Sequence, residues 1–157
     1  MIDKLQGQFI KYINKEDLSL NQKVKFLDEL YWSDLKALSD SPDTNMDSLF
    51  QHLKSEELSI EEIAKVLNLY NNLDGAYTQE FAEIIANLYS KNRIKFFRAL
   101  NLNKDEAINI VYVFRIIKVF EDKNIELQEV KNSNKLTEEE IDTANTFFNM
   151  YETICNT

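Results

Sequence analysis

The chain has 157 residues, 44% of them hydrophobic and 29% charged, and 27 Asp and Glu against 18 Lys and Arg give a net charge of −9 at pH 7. This length suits a single domain over residues 1–157, burying roughly 70% of the surface of its unfolded chain, and the composition excludes global disorder. The acidic balance disfavours nucleic acid as a partner, because that binding relies on Lys and Arg neutralising phosphates, and it disfavours a polybasic membrane anchor for the same reason.

Two glycines and one proline are too few for the turns of a sandwich or barrel, so the chain is expected to be all-α. Helical periodicity begins at once. Leu5, Phe9, Tyr12 and Ile13 define a first helix over about 2–14. Val24, Leu27, Tyr31, Leu35 and Leu38 define a second over about 20–39, widened by Phe26, Leu30 and Ala37 so that it touches two neighbours. The stretch SDSPDTN then breaks the chain at Pro42. Met46, Leu49, Phe50 and Leu53 give a short helix over about 45–54.

A fourth helix starts at Ser59, with Glu62 three residues on as a capping box and Leu58 with Ile63 as the hydrophobic staple. It runs to about Leu73. Thr78 is expected to cap a fifth helix, with Phe81, Ile84, Ile85, Leu88 and Tyr89 facing inward. A sixth covers about 91–101. A seventh starts at Asn103, with Glu106 in the box position, and gives an apolar helix over 104–120. Residues 121–136 lose the pattern and are expected to form a polar connection, with Ile125, Leu127 and Val130 touching the body. The eighth helix starts at LTEEEI, with Thr137 as cap and Glu140 in the box.

The predicted architecture is thus about eight helices in an irregular α/α array, superhelical in the manner of HEAT and armadillo repeats, or a bundle around one central helix. A Leu-cap-x-x-Glu unit recurs at Leu58, Leu102 and Leu136, at spacings in the range of helical-pair repeats. No signature residues recur with it, and helix-start grammar alone produces such an echo.

Residues 91–118 carry seven basic and two acidic residues inside an otherwise acidic chain. Lys91, Lys95 and Arg98 share one helical face, with Ile94, Phe97 and Leu100 on another. From Ala107 to Phe120 only Asn109, Arg115 and Lys118 are polar. A helix apolar nearly all round is a membrane span or the centre of a domain, and a span needs about 20 such residues. The run is read as a central helix wrapped by its neighbours. The basic face either complements acidic residues such as Glu80 and Glu83 within the fold or docks an anionic partner; the internal complement is the expected case.

Catalytic chemistry finds little footing. The only histidine is His52, with no Ser or Cys placed as its nucleophile. Cys155 is alone, which rules out an intramolecular disulfide and zinc-type spacing. Two isolated glycines cannot make a phosphate loop. Asp43, Asn45 and Asp47 match the start of a calcium loop, but Ser48 replaces its glycine and Lys54 its bidentate glutamate; the better reading is a helix capped at Thr44 or Asn45. No metal and no cofactor is expected.

The expectation is a non-enzymatic helical module that binds a protein or peptide partner, with Lys91, Lys95, Arg98, Tyr31, Trp32, Tyr112 and Arg115 as candidate contacts, since Tyr, Trp and Arg dominate interface hot spots. The alternatives are a small-ligand or hydrolytic site of carboxylates and tyrosine between helices, and a structural domain of an exported protein. The N-terminal stretch has no long apolar core and no cleavage site, which places the chain in the cytoplasm unless an export signal has been trimmed from it.

Overall fold

A computed structural model describes residues 2–32, 44–69, 77–119 and 122–155. Among these residues every regular element is a helix: α1 Ile2–Ile13, α2 Leu20–Trp32, α3 Met46–Ser55, α4 Ile60–Leu69, α5 Thr78–Lys91, α6 Arg93–Leu102, α7 Ala107–Ile116, α8 Lys123–Asn132 and α9 Glu138–Cys155, with a 3₁₀ turn at Lys104–Glu106. The all-α expectation holds. The predicted continuations of the second helix to 39 and the fourth to 73 fall outside the described residues.

Local chemistry sets most of the boundaries. Ser59 and Glu62 form their reciprocal capping box, with Ser59 N–H donating to Glu62 Oε1 at 3.2 Å and Glu62 N–H to Ser59 Oγ at 3.1 Å. Thr137 and Glu140 do the same at 2.9 and 3.2 Å. An unforeseen box joins Ser19 and Gln22 ahead of α2. Asn45 caps α3 by accepting from Asp47 N–H at 2.9 Å; Asp43 lies outside the described residues. Two expected caps do not form. Thr78 is the first helical residue of α5 and Tyr77 precedes it without a side-chain cap. Asn103 makes no side-chain cap either; its amide donates to the Ala64 carbonyl of α4, and the chain enters α7 through the 3₁₀ turn.

The helices pack in two rows. In one, α1 touches α3, α3 touches α5 and α5 touches α7; in the other, α2 touches α4, α4 touches α6 and α6 touches α9. Pairs such as α1 with α2, α4 with α5, α5 with α6 and α7 with α9 join the rows. This two-layer succession of the described helices is consistent with the all-α array or bundle expected from the sequence. The Leu-cap units are not equivalent within it: Leu58 is buried, Leu136 partly buried and Leu102 58% exposed.

One apolar cluster runs through the molecule from Leu5 to Phe148. At one end Phe9 and Tyr12 of α1 meet Phe26 of α2, with ring centroids 6.1 and 4.9 Å apart. At the other, Phe114 of α7 lies 5.1 Å from Tyr89, 5.8 Å from Phe96 and 5.1 Å from Phe147. Most of these rings meet edge to face, the arrangement their quadrupoles favour. Phe114 and Val111 are closed to water, as a core helix requires. The opposite face of α7, however, is not wrapped.

The polar connection expected at 121–136 holds a helix, and this is a correction. Asp122 caps α8 by accepting from Asn124 and Ile125 N–H at 2.8 and 3.3 Å. Val130 is buried and Leu127 partly so, while Ile125 stays 58% exposed. Ion pairs add to this packing. Arg93 of α6 reaches buried Glu126 through Nε at 2.8 Å and Glu129 through Nη1 at 2.7 Å. Its guanidinium also lies 5.8 Å from the centre of the Tyr89 ring.

Candidate functional site

The basic face predicted as a possible docking patch makes contacts within the fold. Lys91 donates to the Lys54 carbonyl. Lys95 lies 3.6 Å from Glu57. Arg98 donates to the Lys135 carbonyl and lies 3.7 Å from Glu140. These three side chains fasten α5 and α6 to the end of α3 and the start of α9. The acidic complement is Glu57 and Glu140; Glu83, expected in that role, sits 3.6 Å from Lys54 instead. Lys91 and Lys95 border a recess of about 300 Å³ beside Leu58, Ile63 and Leu88. For Tyr31 and Trp32 only the helical backbone is described, and their side chains lie outside the described residues.

A second constellation, which was not foreseen, lies between α1, α3 and α4. Tyr12 donates its hydroxyl to Glu62 Oε2 at 2.7 Å, and both residues are buried. Burial first, and the facing carboxylate second, push the Tyr12 phenol far above its ordinary range. Glu62 Oε1 accepts from both the N–H and the hydroxyl of Ser59. The half-buried His52 packs against Tyr12 with ring centroids 4.5 Å apart and the ring planes tilted by 48°. A recess of about 210 Å³ reaches this cluster past Lys15 and Lys23. Chemically it does little. The carboxylate spends both oxygens on Tyr12 and Ser59, and the phenol is held protonated, so neither is poised to move a proton to a ligand. The sequence sign was present in part: Glu62 read as a helix-start residue, which it is, but the arrival of Tyr12 is a tertiary event.

The third feature is the outer face of α7. Ile108 is 39% exposed, Tyr112 44% and Ile116 66%. Steps of four place them in one stripe along the helix. Arg115 and Lys118 are exposed at its C-terminal end and Asp105 at its N-terminal end; among the described residues none of the three is ion-paired, whereas Arg93, Arg98 and Lys104 all are. The row order explains the exposure. Among the described residues helix α7 is the last member of its row, packed on α5 and α9, and no further described helix stacks on its other side. The other row ends in α9, which α8 covers. At the N-terminal end of the array, α1 turns Lys4, Gly7 and Lys11 outward with Ile10, the polar surface expected of a terminal cap. Of the predicted contacts, Tyr112 and Arg115 therefore share a face with each other and not with Lys91, Lys95 and Arg98. Ile108 and Ile116 were missed as contacts because periodicity assigned every apolar residue of this helix to the core.

Among the described residues no group of three or more His, Cys, Asp or Glu side chains is placed to hold a metal ion, and no helix is long and apolar enough to cross a membrane. Comparison of the chain with protein-family models, with curated proteins and with solved structures gave no match.

Proposed function

We propose that this chain is a non-enzymatic interaction module that docks a helical protein or peptide partner against the open end of its helix array. The observation that carries this reading is the stripe of Ile108, Tyr112 and Ile116 on α7, apolar and exposed at the place where the row of helices stops. Solenoids of stacked helices require a polar outer face at their ends. An apolar stripe left there costs solubility and gains its use when another helix lies on it, in the helix-on-helix mode read as anchors at i, i+4 and i+8. Tyr112 offers a large, stiff contact with a polar tip, and Arg115 a planar cation beside it, the residue types that dominate hot spots.

The test places a photo-crosslinking side chain at position 112, with position 79 on the exposed polar face of α5 as control. Position 112 should yield a discrete protein adduct that Ile116→Asp removes. The same adduct pattern from both positions, or one indifferent to Ile116→Asp, would overturn the reading.

A further inference from the structure

We infer that the partner lying on α7 is a second copy of this chain, paired through α7 about a two-fold axis. The inference rests on the docking reading above and names its occupant. The argument is the internal symmetry of the stripe. Ile108 stands four residues before Tyr112 and Ile116 four after it. Asp105, in the 3₁₀ turn that leads into α7, stands seven before, and Lys118, just past the extended Ile117 that ends α7, six after, with Arg115 of α7 between Tyr112 and Lys118. A two-fold axis near Tyr112 turns the second helix antiparallel. Ile108 then meets Ile116 of the second copy, the two Tyr112 rings flank the axis, and Asp105 lies beside the basic end of the second copy. Both charge contacts occur twice, as an isologous interface demands.

The charges the pairing uses are ones that no described residue pairs with. Lys104, next to Asp105, is engaged with Glu139 at 2.7 Å, and Glu106 accepts from the Asn109 amide at 3.2 Å. Asp105, Arg115 and Lys118 are exposed and outside the ion pairs of the described residues. A wholly acidic or wholly basic partner would satisfy one end of the stripe and repel the other, whereas a reversed copy satisfies both. The pairing also completes the array: α7 of the second copy occupies the position the next helix of the row would take. A single helix stripe covers far less than the roughly 1,200–2,000 Å² that stable interfaces bury, so the pair is weak and concentration-dependent.

The full chain is followed by sedimentation across a wide concentration range, with thermal unfolding to verify that every variant is folded. The wild type should show a reversible monomer–dimer equilibrium, and Ile116→Asp should abolish it. Asp105→Lys alone makes the stripe wholly basic, and Arg115→Glu with Lys118→Glu makes it wholly acidic. Each of these should weaken self-association by about tenfold or more, through like charges placed opposite one another. Mixed in equal amounts, the two variants should form a mixed dimer stronger than either alone, because the opposed charges match again in both contacts. A wild type that stays monomeric, a mixture no stronger than its components, or open-ended oligomers in place of dimers would each overturn the two-fold pairing. If the wild type is monomeric while position 112 still gives an adduct that Ile116→Asp removes, self-pairing fails and the docking face stands. If that adduct is also missing, both fail.

Discussion

His52, the only histidine, has a role that its neighbours define. Its imidazole is half-buried against Tyr12, and that burial holds its pKa below the ordinary 6.5. The Ile13 backbone and Glu62 oppose the shift, and Lys15 and Lys23 add to it, all more weakly than burial. The unfolded chain therefore takes up the proton before the folded one as the medium is acidified. The contribution of His52 to stability is full above about pH 6.5, declines as the pH falls below that value, and is lost once the pH lies below the folded pKa. Denaturant unfolding of the wild type should show this decline between about pH 7 and about pH 5, a window above most carboxylate titration. The substitution His52→Gln should flatten the profile there. An identical slope in both proteins would show that the imidazole is solvated as freely in the folded chain as in the unfolded one.

At the level of the helix, what the sequence made legible was local and apolar. Ser59 with Glu62 and Thr137 with Glu140 could be read because a capping box is written within four residues. Apart from α8, the described helices follow such signals or plain apolar periodicity. Helix α8 could not be read, because apart from Val130 and Leu127 its hold on the body is polar: Arg93 grips Glu126 and Glu129 one turn apart, and a turn of glutamates carries no apolar period. Asn103 misled for a related reason. It is a good cap by type, yet the Ala64 carbonyl thirty-nine residues away takes its amide. The same distinction applies to the candidate site. Tyr112 and Arg115 stood out by residue type, but that Ile108 and Ile116 lie outside could be known only from the row order of the helices, which no local pattern encodes. The ionic tether gives a prediction. Replacing Arg93 by Ala strands the carboxylate of buried Glu126, at a cost of about 1–3 kcal/mol once the partial exposure of the arginine is allowed for. The loss should be local, since α8 packs chiefly on α9. Hydrogen exchange should quicken at the amides of Ile125 to Val130 and stay unchanged in α3 and α4. Uniform acceleration across the chain would mean that Arg93 supports the core as a whole.

On the scale of the whole molecule, two forces act in opposite directions when two copies approach. Each copy carries −9, so the long-range field between them is repulsive. The α7 stripe is attractive, but only at contact, through apolar burial and exposed charge pairs of about 0–1 kcal/mol each. Salt separates these terms. Between about 0.01 M and about 0.1 M the Debye length shrinks from about 30 Å to about 10 Å, which removes most of the repulsion between the two bodies and leaves apolar burial untouched. Screening also weakens the pairs of Asp105 with Arg115 and Lys118, yet these are few and short-ranged. Self-association of the wild type should therefore strengthen as salt rises through this range, the reverse of a contact made by opposite charges. Sedimentation equilibrium at several salt concentrations measures it directly. Weakening with salt would place the attraction in the charges and not in Ile108, Tyr112 and Ile116. The charge-matched mixture sharpens the comparison, since its copies also carry net negative charge while their stripes attract. It should follow the same upward trend, and a downward trend in the mixture alone would show that exchanging the charges had changed the source of its binding.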